Sequence, residues 1–302
     1  GAGVIGCEYG SVFARLGARV TLIDRQSVPL GFLDHEISGR FRDTLAREGV
    51  GFVGDAQVNG VQSSITGVEV QLQDATRLHA EKLLVAQGRV SNVANLNLPA
   101  AGLQLDENGL IATDGNCQTA VPGIYAIGDV QGPPTLASSA MAQGRLAARH
   151  ALGLAADESS RLVPTGIYAI PEIAFIGMTE LEAKAQGLDV RVGYGDFDEI
   201  ARSQISGAGD GLLKLVTDGD GRQILGVHVI GAGASELVHM GQLAMAGGLT
   251  AGEFVRQVFN FPTMAEAYRT AALQVLDDAR SQPRGAWPGY AKSVARRRVR
   301  PD

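Results

Sequence analysis

Gly1-Ala2-Gly3-Val4-Ile5-Gly6 has the spacing G-x-G-x-x-G. In such a loop the first glycine makes a tight turn and the second lets a pyrophosphate approach the backbone. The third lets the following helix pack closely on a sheet with its N-terminus facing the phosphates. A helical stretch to about Leu16 follows, and Asp24 stands 18 residues after Gly6 at the end of the strand-like run from Val20. The strand that should precede the loop is expected upstream of Gly1. Asp24 can accept from a ribose 2′-hydroxyl, which favours NAD. Arg25 can instead pair with a 2′-phosphate, which favours NADP, or be a solvated surface charge. Glu8, in the first turn of the helix, either compensates the helix dipole or places its carboxylate near the nicotinamide ribose.

A second constellation, Thr119-x5-Tyr125-x2-Gly128-Asp129, puts an acid at the end of an apolar strand, expected over 121–127, and before a helix. Asp129 can hold sugar-like hydroxyls or be an ordinary turn acid. The helix that follows would aim its positive end, near Leu136 and Ala137, at developing negative charge. No pair among His35, His79, His150, His228 and His239 has metal-ligand spacing with a further ligand nearby, so no metal is expected. Asp218-Gly219-Asp220-Gly221 begins like a calcium loop, but Val229 occupies its twelfth position, so it reads as a turn. Cys7 and Cys117 are too few for a disulfide framework, and a reducing cytoplasm is the expected compartment.

The elements that must position these residues form an α/β pattern. A helix is expected over 33–49, with Asp34 as its cap, Ile37, Phe41 and Leu45 on one face, and Gly49 ending it. Strand-like runs lie at 51–58, 67–72 and 82–86, and an apolar run at 121–127. A helix is expected from about Leu136 to Leu152, then a polar linker over 153–163. Beyond it, Thr179-Glu180-Leu181-Glu182 is a capping box, and Gly187 ends the helix it starts. Leu212–Thr217 and Gln223–Ile230 flank the Asp-Gly turn as a hairpin. Helical patterns at about 234–247 and 264–280 complete an α+β section. From Ser281 the chain reads as a basic disordered tail.

Composition limits the possibilities. The 302 residues are 45 % hydrophobic and 19 % charged, which excludes bulk disorder. The 40 glycines, without a G-X-Y period, suggest tight turns and close backbone approaches to ligands. No apolar run reaches the ~18 residues of a membrane span. The net charge of −6 argues against a general nucleic-acid binder. The charge is uneven: residues 280–302 carry seven Arg or Lys against Asp302, giving +6 and leaving −12 for the rest.

Five motifs in order carry a family resemblance. G-A-G-V-I-G-C-E-Y-G-S, A-Q-G-R-V-S-N at 86–92, Y-A-I-G-D-V at 125–130, P-E-I-A-F-I-G at 171–177 and F-N-F-P-T-M-A-E-A-Y at 259–268 resemble the FAD-dependent pyridine nucleotide–disulfide oxidoreductases, in particular their soluble transhydrogenase branch. The resemblance covers about residues 1–280. It implies a Rossmann-like NAD(P)-binding domain over 1–88, the C-terminal segment of an FAD-binding domain over 89–157, and an α+β dimerisation domain over 158–280. It also implies an N-terminal FAD-binding half that this chain does not contain, with FAD, NAD and NADP as cofactors in a homodimer. The implied cofactor contacts are Gly1, Gly3, Gly6, Glu8, Asp24, Arg25, Gly88, Gly128, Asp129, Leu136 and Ala137.

At the family's acid–base positions stand Phe261 and Glu266. In the disulfide-reducing members a His precedes the Pro-Thr and works with the following Glu. Here a phenyl ring, which cannot transfer a proton, takes the His position, and Thr263-x-x-Glu266 also reads as a capping box. Hydride exchange between nicotinamides through a flavin needs no protein acid or base, so transhydrogenation is the expected activity. The alternatives are a lipoamide-dehydrogenase-like disulfide reductase and an inactive, truncated dimerisation module.

Overall fold

A computed structural model describes residues 1–155 and 162–280. The expected tail over 281–302 and most of the expected linker lie outside these. The chain opens directly into α1 (Val4–Arg15), which buries Gly6, Cys7, Gly10 and Ser11. It continues through β1 (Thr21–Ile23), α2 (His35–Arg47) and β2 (Gly51–Val53). β1 and β2 pair in parallel with Leu22 opposite Phe52, the register of a β–α–β unit. β3 (Val58–Ser64), β4 (Gly67–Leu72) and β5 (Arg77–Ala80) form a separate antiparallel sheet. The expected strand at 51–58 therefore splits in two.

Two further expectations are corrected. Residues 82–86 form no strand: no described strand pairs with them, and Leu83, Leu84 and Val85 are exposed. Apolar, β-rich residues make a strand only where a neighbour takes up their backbone hydrogen bonds. The run 121–127 is also not a strand. Pro122 has no N–H to give a ladder, and Gly123 turns the chain at φ +83°, so Thr119 N–H closes onto the Ile124 carbonyl at 2.9 Å. Only the isolated bridge Gln118–Tyr125 remains. α3 (Ala137–Ala151) then forms close to where it was expected.

The third section is a five-stranded antiparallel sheet ordered β6-β7-β10-β9-β8, from β6 (Thr165–Ile167), β7 (Ile173–Gly177), β8 (Val190–Asp196), β9 (Leu212–Asp218) and β10 (Ile224–Ile230). The expected capping box starts α4 (Glu180–Ala185), with both Thr179 and Glu182 bonds present. α5 (Ala201–Ser206), α6 (Ala234–Ala246), α7 (Ala251–Arg256) and α8 (Glu266–Arg280) complete it; the short α5 and α7 were not read from the sequence. Leu213, Leu215, Val227 and Val229 of the central strands pack against Leu237 and Val238 of α6 and the small residues Ala267, Ala271 and Ala272 of α8. No described helix is long and apolar enough to cross a membrane.

The nucleotide-loop section and this sheet share a core: Ile37, Phe41 and Leu45 of α2 cluster with Ile167, Ile173, Leu212 and Ile230. At its edge Lys214 of β9 is fully buried, and its ammonium lies 2.9 Å from Asp34, 2.6 Å from Glu36 and 2.7 Å from Glu180. Asp34 also caps α2 by accepting from Glu36 N–H at 3.1 Å. Burial raises the Glu180 carboxyl, but hydrogen bonds from Lys184 and Lys214 outweigh it and hold it at about 2 rather than 4.5. Burial likewise raises Asp34, but the hydrogen bond and charge of Lys214, together with His228 and the Glu36 N–H, outweigh it.

His228 of β10 lies directly cross-strand from Lys214. Its Nε2 donates to the Met178 carbonyl at 3.0 Å, and its buried Nδ1 has no partner. Burial depresses its pKa below 6.5. All three groups therefore have folded pKa values below their unfolded ones. Each stabilises the fold above its unfolded value, and that stability is lost as pH falls. The unfolding temperature should decline in two stages: first below 6.5 as His228 is forced to charge, then from 4.5 toward 2 as Glu180 and Asp34 are protonated. His228→Phe should remove the upper stage and keep the lower. Calorimetry across pH checks this, and a variant retaining both stages would exonerate His228.

A candidate dinucleotide cradle and flavin-facing turn

The glycine loop is closed by backbone contacts that leave no room for side chains. A Cβ on Gly1 would stand 2.1 Å from the Ala86 carbonyl oxygen, and one on Gly6 only 1.9 Å from that of Gly1. Gly3 differs: a Cβ there meets nothing within 4 Å. Gly3 is the N-cap of α1 and supplies no side-chain bond to the first turn, so those N–H groups remain available to an anion beside open space.

Asp24 follows β1 and clasps this loop. Its Oδ2 accepts Ala2 N–H at 2.5 Å and its Oδ1 accepts Gln26 N–H at 2.8 Å. Burial raises its carboxyl, but these bonds outweigh burial and leave the pKa below the ordinary value. Each oxygen keeps a further lone pair for a ligand hydroxyl. Ala2, Gly3, Asp24, Gln26 and Phe32 line one cleft. Arg25 lines a different one, with Val53–Gln57 and Leu72–Asp74. The adjacent acid and base thus face separate clefts. Cys7 Sγ donates to the Ala2 carbonyl at 3.2 Å, and burial pushes its thiol up to about 12, so it serves the loop as a packed thiol rather than a thiolate.

Glu8 neither stands free nor simply compensates the helix dipole. Its Oε1 accepts the backbone N–H of Tyr168, after β6, at 2.8 Å. One turn further on, Ser11 Oγ accepts Ile170 N–H at 3.0 Å. α1 is thereby pinned to the third section.

The second constellation assembles around two glycine turns. Gly88 adopts φ +120° and Gly128 φ +74°. Arg89, beside Gly88, reaches Asp129, beside Gly128, at 3.3 Å. Gly128 N–H donates to Gln143 Oε1 of α3 at 2.7 Å, which fixes the turn against the helix. Asp129 lies in the short 3₁₀ turn Gly128–Gln131, with its carboxylate partly exposed. Leu136 caps α3 without a side-chain bond, and Ala137 is exposed, so the first-turn N–H groups of α3 are available.

Phe261 stands at the surface, 74 % exposed. Glu266 begins α8, and its Oε2 lies 3.5 Å from Thr263 N–H. The Thr263 hydroxyl instead donates to the Asn260 carbonyl at 2.8 Å, so only half of the expected capping box forms. Among the described residues, only Asp34, His35 and Glu180 are grouped as metal ligands would be. The Lys214 ammonium already bonds both of those carboxylates. Sequence reasoning missed Arg89, Gln143, Ser11 and Tyr168. The A-Q-G-R and Y-A-I-G-D motifs pointed to the turns, but no spacing pairs Arg89 with Asp129.

Comparisons with known proteins agree with this arrangement. The sequence model of the pyridine nucleotide-disulphide oxidoreductases matches residues 1–144, and that of their dimerisation domain matches residues 163–272. A soluble pyridine nucleotide transhydrogenase of Vibrio vulnificus is 43 % identical over 285 residues, 92 % of this chain and 60 % of that protein. One from Mycobacterium tuberculosis is 40 % identical over 281 residues, 93 % of this chain and 60 % of that protein. The chain therefore spans about three-fifths of these relatives. Among solved structures, the HOCl-induced flavoprotein disulfide reductase RclA from Escherichia coli superposes with a TM-score of 0.86 at 26 % identity, covering 90 % of this chain and 63 % of that one. LpdA from Mycobacterium tuberculosis gives 0.83 at 28 % identity, covering 90 % and 60 %. With a glycine cradle followed by an Asp-clasped β–α–β unit, a Gly-Asp turn before α3 and a matching dimerisation domain, this chain belongs to the pyridine nucleotide–disulphide oxidoreductase family.

Proposed function

We propose that this chain forms the nucleotide-binding and dimerisation parts of a cytoplasmic, homodimeric, FAD-dependent transhydrogenase that passes hydride between NADPH and NAD in a ping-pong cycle. Phe261 carries this reading. Disulfide reduction needs protons moved to and from thiols at this position, and a phenyl ring cannot move them. Similarity to the transhydrogenases over more than nine-tenths of the chain supports the same reading.

The chain's residues fit the cofactors. The open side of Gly3 suits a pyrophosphate, and Gly1 and Gly6 let the loop close around it. Asp24, in the cleft of the glycine loop, accepts the adenosine ribose hydroxyls of NAD; Arg25, which lines the other cleft, is the rival partner for a 2′-phosphate of NADP and requires its side chain to turn toward the loop. Glu8 stands at the nicotinamide ribose. The bare turn at Leu136 and Ala137 and the carboxylate of Asp129 suit the polar edge and ribityl hydroxyls of FAD, with Gly88 and Gly128 shaping the turns. Bound FAD supplies a two-electron carrier between the two nicotinamides. Phe261, exposed on the single chain, acts by packing and water exclusion beside the flavin across the dimer interface, where the family resemblance places it, and Glu266 by holding the start of α8. The disulfide reductase reading is favoured by the likeness to RclA and would place its redox cysteine pair in the N-terminal half, outside this chain; Phe261 argues against it.

Three outcomes are expected. The complete protein, with its N-terminal FAD-binding half and FAD bound, should reduce a thio-analogue of NAD with NADPH, with parallel double-reciprocal plots; good lipoamide reduction without this transfer would sink the assignment. Gly3→Ala should fold normally and yet bind nucleotides more than about tenfold more weakly, because its Cβ occupies the phosphate's space. Gly6→Ala should instead lose about 1–3 kcal/mol of stability through its backbone collision, so denaturant melts and nucleotide titrations separate the two glycines. At position 261, Tyr should keep most of the exchange rate and add no pH break. Ala should lower the rate by about tenfold, a barrier change of about 1.4 kcal/mol. An Ala variant matching the parent would remove Phe261 from the site.

A further inference from the structure

Three hydrogen bonds converge on Ala2. Its N–H goes to Asp24 at 2.5 Å, and its carbonyl accepts Leu30 N–H at 3.0 Å and Cys7 Sγ at 3.2 Å. Leu30 adopts φ +51°, in the left-handed region that a leucine enters only at a cost. Such a backbone persists where its surroundings over-determine it. Here they do. The Leu30 side chain is 2 % exposed, its carbonyl accepts Leu33 N–H at 2.9 Å, and the Pro29 carbonyl before it accepts the Ser38 hydroxyl at 2.7 Å. Ser38 is as deeply buried as Leu30, and its own N–H donates to the carbonyl of Asp34, the residue that Lys214 holds.

These bonds form one line. A trans peptide points its C=O and its N–H in opposite directions within one plane. The Pro29 carbonyl and the Leu30 N–H belong to one such unit, and the Ala2 carbonyl and the Gly3 N–H to another; neither bond is cis. The Ser38 hydroxyl grips the far end of the first unit. The near end of that unit grips the second, whose own far end is the Gly3 N–H. That N–H has no acceptor among the described residues. Donation into a carbonyl polarises the N–H of the same amide, so successive donors strengthen one another. We propose that Ser38 is a positioning residue of the glycine loop: through Pro29–Leu30 and Ala2–Gly3 it aims the Gly3 N–H at the ligand's pyrophosphate and makes it a stronger donor. This rests on the reading above that the glycine cradle takes a dinucleotide. A buried hydroxyl on α2, without touching the ligand, thereby sets an anion contact at the start of α1.

The test titrates ADP-ribose, which carries the pyrophosphate, into the complete FAD-loaded protein as parent, Ser38→Ala, Ser38→Cys and Thr44→Ala. Thr44 is the control, another buried hydroxyl of α2, but one that bonds the Arg40 carbonyl and Asp210 rather than the loop segment. Ser38→Ala should bind ADP-ribose about three- to tenfold more weakly, and Ser38→Cys, a weaker donor of similar shape, should lose less. Thr44→Ala should bind as the parent does. In hydride exchange Ser38→Ala should raise KM for the nucleotides and leave kcat within about twofold, because a phosphate contact is made equally before and during hydride transfer. A fall in kcat at unchanged KM would overturn the role of Ser38. If Ser38→Ala does not fold, as circular dichroism will show, Ser38→Cys is read in its place. If the parent binds ADP-ribose and the folded Ser38 variants hold it as tightly, Ser38 has no such role and the dinucleotide reading stands. If Thr44→Ala weakens binding as much as Ser38→Ala, any loosening of α2 suffices and the relay is again overturned. If the parent does not bind ADP-ribose, the dinucleotide reading falls and takes the relay with it.

Discussion

A single buried ammonium holds the nucleotide-loop section and the five-stranded section of this chain together. Lys214 has no exposure to water, and it faces carboxylates from α2 and α4 at once. Three carboxylates around one cation would repel each other without it, and removing one partner from a buried ionic cluster typically costs about 3–5 kcal/mol. Tyr194 on β8 extends the cluster by donating to Glu36 Oε1 at 2.9 Å. α2 therefore cannot shift along the sheet without leaving charges buried and unpaired. Arg40 repeats the same tie further along α2, bonding Asp196 at 2.7 Å and the Gly211 carbonyl at 3.0 Å.

The consequences reach the cradle. α2 follows the loop that carries Asp24, and Asp24 clasps the glycine turn, so fixing α2 fixes one wall of the glycine cradle. α1 is fixed separately through Glu8 and Ser11. The two helices that build the cradle are thus each anchored to the dimerisation section, α2 by ionic contacts and α1 by side-chain acceptors that take the backbone N–H groups of Tyr168 and Ile170. Hydrogen bonds at a partly exposed helix hold direction without the desolvation cost of a fully buried charge, which suits the helix that opens on the glycine loop; buried charge suits α2, farther from that loop, where rigidity matters more than access.

The same division explains the uneven use of ionisable groups. Cys7 and His228 are buried where chemistry could be imagined, yet burial holds Cys7 as a thiol and His228 as a neutral ring. Asp24 and Asp129 stay accessible at the ends of turns, where an ionised carboxylate can meet ligand hydroxyls. The polar groups offered to ligands lie on glycine-shaped turns, and those spent on the fold lie between packed elements.

Features set by neighbours close in the chain were legible in the amino-acid order. The glycine spacing, the Asp34 cap, the Thr179–Glu182 capping box and the turn at Asp218–Gly221 each depend on residues within about one turn, so spacing alone specifies them. The motif order likewise identified the family and singled out Phe261. What only the tertiary structure decided involves partners far apart in the chain. Residues 82–86 have strand-forming side chains and no ladder, because a strand exists only with a neighbour. Lys214 meets Asp34 across 180 positions and Glu8 meets Tyr168 across 160. A side chain's type states which partner it can accept, but only the packing of α1 and α2 on the β6–β10 sheet selects which partner arrives. The sequence by itself therefore determined the local turns, caps and chemistry on offer, while the packed structure decided which charges are buried together and which backbone groups the side chains of α1 hold.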